Sequence, residues 1–229
     1  MQVAADNGNQ HFKILEQIAT NVANVNTTGY KAKRFELYLR PDGVLEGDIR
    51  TDTANGNVMI TKRAMDVAIK TDGYIPVTQP DGTTAYTRDG SFTRNQDGYL
   101  STFRGDLVGP GIQLPANYET LQITQDGTVQ TRPKEGAPWE VHGKIPLVTF
   151  PNPEGLKTVG GNKLLPTETS GLPAKFDGGT FVQGSLERAN VNPFNQIDSI
   201  LRLNAGLISN FRIIKFSDDI FRQAVNLRQ

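Results

Sequence analysis

Helical periodicity at both ends of the chain, with a different periodicity between them, restricts the fold more than any other feature. Near the start, Phe12, Leu15, Ile18, Val22 and Val25 recur at steps of three and four. That spacing lines one face of an amphipathic helix, expected over residues 11–25. The stripe runs into Asn26-Thr27-Thr28-Gly29, residues that favour turns, and Gly29 can take the left-handed conformation common at helix ends. Near the finish, Ile197, Ile200, Leu207, Phe211, Ile214, Phe221 and Val225 keep the same steps. Asn192 suits an N-cap and Pro193 a first helical turn, so a second helix is expected over 193–228. Asn204 and Asp218 stand at stripe positions, while Leu201, Ile208 and Phe216 widen the stripe beyond a two-stranded seam. Gly206 weakens this helix but admits a close neighbour. At 1.5 Å per residue the helix is about 50 Å long, too long for a compact domain of this size. Two terminal helices packed on each other and on further copies are therefore expected. Residues 1–10 are polar and without period, and are expected to be disordered or helical only when packed.

The middle of the chain reads as strands and turns. Phe35–Leu39 alternates, and Pro41-Asp42-Gly43 then turns the chain. Short alternating runs begin at Met65, Tyr74, Thr84, Ser91, Tyr99, Leu121 and Thr128. Asp-Gly pairs at 72–73, 81–82, 89–90, 97–98 and 126–127 separate many of them. This pair suits hairpin turns because both residues tolerate positive φ. Ile145–Phe150 is the most apolar run and is expected as a central strand with Pro146 at its start; Phe181–Leu186 closes the region. The fold class is α+β. Paired N- and C-terminal helices (1–29 with 193–229) form a coiled-coil-like domain, 30–64 an extended linker or hairpin, and 65–192 a central antiparallel all-β domain.

Composition removes several functions. The 24 basic and 24 acidic residues cancel, which argues against a general nucleic-acid or anionic-membrane binder. Cysteine is absent, so disulfides and thiolate metal sites are excluded. No run approaches the length of a membrane span. The first ten residues lack the basic and apolar regions of a secretory signal, so export, if any, is expected to proceed without a cleaved signal peptide.

Catalytic constellations are missing. His11 and His142 are the only histidines, and no third group stands at metal or triad spacing. The acids fall one per turn, unlike a calcium loop. Asp66 and Asp72 are a weak candidate for a hydrolytic pair. Lys31, Lys33 and Arg34 read as a solvated basic face. No catalytic residue, metal, cofactor or small-molecule substrate is expected. A binding module with helical tails is the competing reading, with Trp139 and Tyr118 as its exposed aromatics.

Four ordered stretches resemble a known family. Ile18-Ala-Thr-Asn-Val-Ala-Asn-Val-Asn-Thr-Thr-Gly-Tyr-Lys31 is similar to the signature of bacterial flagellar rod and hook proteins, with Asn21, Asn24, Asn26, Gly29 and Tyr30 at signature positions. Met65–Tyr74, Ala85–Phe92 and Gln183–Asn192 match three further motifs, the last through Asn190 and Asn192. Departures lie at Val3–Gln10, Thr20 and Asn204–Ile208. The resemblance implies a structural subunit of the flagellar rod whose terminal helices build the inner tube of a helical homo-oligomer. It also implies rod and hook proteins as partners, a position in the periplasm-spanning basal body, and export by the flagellar type III apparatus.

Overall fold

The computed structural model describes residues 2–41 and 44–226. The chain divides into two compact units. One gathers the residues up to 25, those of 32–52 and those from 191 onward; the other gathers 26–31 and 53–190.

The first unit holds α1 (Gln2–Ala23), β1 (Lys33–Leu39), β2 (Leu45–Thr51) and α2 (Pro193–Asn226). Helix α1 begins well before residue 11. No proline interrupts the run, and α2 packs against it, which offsets the weak propensity of a polar segment. It stops at Ala23, followed by tightened bonds from Asn24 N to Asn21 O (3.1 Å) and from Val25 N to Val22 O (3.3 Å). Helix α2 opens as expected: Asn192 Oδ1 accepts from the N–H groups of Phe194 (2.9 Å) and Asn195 (3.4 Å). Strands β1 and β2 pair antiparallel, with Phe35 opposite Ile49 and Glu36 opposite Asp48. Phe35, Leu37 and Ile49 thereby share one face, and Arg34, Glu36, Asp48 and Arg50 the other. The turn at Pro41-Asp42-Gly43 lies partly outside the described residues. Helix α1 packs on both strands, so the hairpin within 32–52 groups with the helices.

The second unit is antiparallel throughout. Its early strands are β3 (Val58–Ile60), β4 (Val67–Ile69), β5 (Ile75–Thr78), β6 (Thr84–Thr87), β7 (Phe92–Arg94), β8 (Leu100–Thr102) and β9 (Leu107–Val108). Next come β10 (Thr120–Ile123), β11 (Thr128–Arg132), β12 (Glu140–Lys144), β13 (Val148–Thr149), β14 (Lys157–Val159) and β15 (Lys163–Leu165). The last are β16 (Ala174–Lys175), β17 (Phe181–Gln183) and β18 (Ser185–Glu187). Seven form one sheet in the order β14-β15-β6-β5-β9-β8-β7, and β10-β11-β12 form another. Between them lies an apolar core that includes Val67, Ile75, Val77, Phe92, Leu100, Val108, Val129 and Phe181. Tyr74, Tyr86 and Phe150 make a smaller aromatic cluster, with Phe150 edge-on to Tyr86 at 4.9 Å between centroids.

Three strand expectations change. At 79–83, 95–99 and 124–128, one backbone bond closes the five-residue loop and a second runs from the glycine N–H to the residue three before it. Gly82, Gly98 and Gly127 have φ of 82°, 89° and 88°, but the aspartates before them do not have positive φ. These are type I turns followed by a left-handed glycine. A three-residue loop needs one such position, not two. Within Ile145–Phe150 only Val148–Thr149 is strand. Pro146 has no N–H, and Ile145 N is spent on Gly127 O (2.9 Å); Ile145, Leu147 and Phe150 are nonetheless buried. Phe181–Leu186 is two strands, because Gly184 has φ 68° and redirects the chain from β4 to β3.

Candidate assembly surface

Among its described residues the helical unit exposes more large apolar side chains than it buries. Along α1 the inward positions are His11, Ile14, Ile18, Asn21 and Val25; along α2 they are Gln196, Ser199, Leu203, Gly206, Asn210, Ile214 and Ser217. Both sets step by three and four, so each is one helix face. Their chemistry is mixed and small. His11 Nε2 would lie only 2.7 Å from a Cβ at Gly206, so the glycine makes room for the imidazole. Of the sequence-predicted stripe, Ile18 is buried, and Val25, Leu207 and Ile214 are half-buried. Leu15, Val22, Ile197, Ile200, Phe211 and Phe221 are exposed, Phe211 to 64% and Val22 to 48%. The side chain of Val225 lies outside the described residues. The expected single stripe on α1 is thus split between two faces. Large apolar residues surround α2 on several sides, so periodicity cannot select the face that meets α1. Leu203, the one buried leucine of α2, was missed for that reason.

Signature residues take separate tasks. Asn21 is buried; its Nδ2 donates to Lys33 O (2.6 Å) and Gln196 Oε1 (3.2 Å), and its Oδ1 accepts from Lys33 N (2.9 Å). It fastens the end of α1 to β1 and to the first turn of α2. Asn24 Nδ2 donates to Thr20 O at 2.9 Å, and Asn26 is exposed. Gly29 has φ 66° but stands six residues beyond α1 and does not cap it. A Cβ there would meet Arg88 C at 2.6 Å, so close approach is its requirement. Tyr30 is buried, which pushes its phenol pKa up. Its carbonyl accepts from Asn190 N (3.3 Å), and Asn190 Nδ2 donates to Ala54 O (3.0 Å).

Lys31 overturns the solvated-face reading. It is buried and donates to Glu187 Oε1 (2.8 Å) and Ala54 O (2.6 Å). Arg88 donates from Nε to Glu187 Oε2 at 2.7 Å. One charged residue from each of three motifs meets inside the β-rich unit. Opposite charges placed one in each of three motifs were the available sequence signal. Lys33 is half-buried, which lowers its pKa; Arg34 is exposed and pairs with Glu36 at 3.2 Å.

The remaining candidates separate. Asp66 is salt-bridged to Arg63, which donates from Nε at 2.7 Å, whereas Asp72 accepts from Asn55 at 3.2 Å; each is engaged elsewhere. His142 bonds Thr131 Oγ1 at 2.7 Å. The guanidinium of Arg132 covers Trp139 at 5.0 Å, and Tyr118 packs on the main core, so they form no open aromatic platform. Among the described residues no group of three or more acidic or histidine side chains could hold a metal, and no helix is long and apolar enough to cross a membrane.

The flagellar hook protein FlgE/F/G D1 domain matches residues 68–131, which run from β4 to β11. The flagellar basal-body rod protein FlgG of Caulobacter vibrioides is 31% identical, with 93% of each chain covered. FlgG of Buchnera aphidicola (subsp. Baizongia pistaciae) is 33% identical over 90% of each. FlgG of Bacillus subtilis is 32% identical over 94% of this chain and 93% of its own. This protein belongs to the flagellar basal-body rod protein family.

Proposed function

We propose that the protein is a structural subunit of the bacterial flagellar rod, assembling helically with copies of itself into the hollow shaft that carries torque from motor to hook. The observation that carries this reading is the outward apolar half of α1 and α2. Phe12, Leu15, Val22, Ile197, Ile200, Phe211 and Phe221 are exposed on helices that already hold each other by another face. Burying such a side chain contributes about 1.5–3 kcal/mol. A rod of neighbouring subunits supplies that burial, and a heterologous contact that does not close gives a filament. The inward three-and-four spacing supports a coiled-coil-like pair, with residues 1–29 and 193–229 as the tube-forming part and 65–192 as a separate β domain. Adjacent rod and hook proteins are its partners in the basal body. Export by the flagellar type III apparatus, without a cleaved signal, completes the proposal. The role is mechanical and not enzymatic.

Phe211→Asp and Val22→Asp test it. Both positions face outward, so each variant should fold with an unchanged melting transition of the β-rich unit, yet build no rods and leave cells non-motile. Normal motility in both variants would sink the proposal.

A further inference from the structure

The chain passes between its two units four times, at 25–26, 31–32, 52–53 and 190–191. Within the β-rich unit, the pieces adjoining these passages are 26–31, 53–57 and 187–190. One buried side chain bonds to the first two and belongs to the third. Glu187 Oε1 accepts from Lys31 Nζ and from Gly56 N, both at 2.8 Å, while its own carbonyl accepts from Gly29 N at 2.8 Å. Asn190 N to Tyr30 O (3.3 Å) and Arg188 N to Asn57 O (2.9 Å) extend the same weave. On its other oxygen Glu187 holds Arg88. The Arg88 guanidinium also donates to Gly73 O (2.6 Å), Ile69 O (3.2 Å) and Thr71 O (3.3 Å), which anchors the cluster to the sheet region.

Two cations meet at this carboxylate, and Glu187, Arg88 and Lys31 are only 2%, 3% and 7% exposed. Removing one member of a buried ionic cluster is costly in low dielectric. Loss of the Glu187 carboxylate therefore breaks contacts to two of the segments at once and withdraws the third from Arg88.

We propose that Glu187, with Lys31 and Arg88, is a latch that positions the three segments through which the chain enters and leaves the β-rich unit. Opening the latch frees those segments and leaves the large sheet folded. The latch stands on the subunit alone. Its mechanical use rests on the rod reading: force passing along the chain between the units must traverse these segments, and the latch keeps them from paying out under load.

The test is native-state hydrogen exchange on the full chain in dilute solution, a readout that failure of the rod reading leaves untouched. In Glu187→Gln, protection at Gly29, Gly56 and Asn190 should fall by roughly two orders of magnitude, while amides of β5 and β8 keep theirs. Adding Lys31→Met to Glu187→Gln should cost little further protection, because Lys31 acts through the same carboxylate, a non-additivity that independent packing contributions would not give. Unchanged protection in Glu187→Gln, a parallel fall across the sheet, or a double variant whose loss is the sum of the two single losses would each overturn the latch. Should Glu187→Gln fail to fold, Lys31→Met alone decides. It keeps the Arg88–Glu187 pair, so loss at Gly29 and Asn190 with Gly56 retained supports the latch. Any other pattern overturns it.

Discussion

At the scale of single residues, two glycines separate the reasons for which glycine is required. Gly82 has φ 82° and open space around it, whereas a Cβ at Gly90, where φ is not positive, would meet Val67 O at 1.8 Å. Gly82→Ala should cost about 1–2 kcal/mol from backbone strain. Gly90→Ala should cost about 3 kcal/mol, because β4 must move. Chemical denaturation of the two variants checks the order. Both glycines follow aspartate in the sequence, and local sequence alone cannot distinguish a turn from a close approach. The aspartates have their own signature. Hydrogen bonds from the hydroxyls of Thr124 and Thr128 hold the Asp126 carboxyl at about 2, below its ordinary 3.8. A depressed carboxylate stabilises the fold above its unfolded pKa and loses that contribution as pH falls through the folded one. The window is therefore about pH 4 down to about 2, and the effect is small because Asp126 is exposed. A carboxyl titration by NMR should give a midpoint near 2, moving back up in Thr124→Ala. An ordinary midpoint in the native chain would contradict the hairpin geometry.

At the scale of elements, the helices were legible and their faces were not. Caps and periodicity place α2 within a few residues, since Asn192 and Pro193 carry a local signal. The inward faces of α1 and α2 combine Ile18, Val25 and Ile214 of the stripes with His11, Asn21, Gln196, Ser199 and Gly206, residues that no hydrophobic stripe reveals. Asn21 shows how such a contact holds. Asn21→Ala would leave the half-buried Lys33 N–H and C=O without their side-chain partner, at up to about 1–3 kcal/mol for each group that water does not reach. The expected result is early loss of the helical unit in a thermal melt followed by circular dichroism, with the β-rich unit melting where it did before. Coincident loss of both would mean that Asn21 serves more than its own unit. The strands were legible through Asp-Gly spacing. The breaks at Gly184 and Pro146 were less so, because an apolar run does not disclose which N–H groups are spent elsewhere. The Lys31–Glu187–Arg88 cluster was illegible for a related reason: charges far apart in sequence read as surface until the fold brings them together.

At the scale of the whole molecule, a chain without net charge and with many exposed aliphatic and aromatic residues on its terminal helices is suited to further association. Phe12, Phe194, Phe211, Phe216 and Phe221 are all more than 60% exposed. Exposed apolar surface on this scale marks an interface, and the chain belongs to a flagellar basal-body rod protein family. Sedimentation of the purified full chain across rising concentration, with the sedimenting fraction imaged, tests the central claim most directly. The expected result is a concentration-dependent passage from monomers to long tubular polymers, with α1 and α2 becoming resistant to protease only in the polymer. A chain that stays monomeric at every concentration, with both helices already resistant, would contradict it.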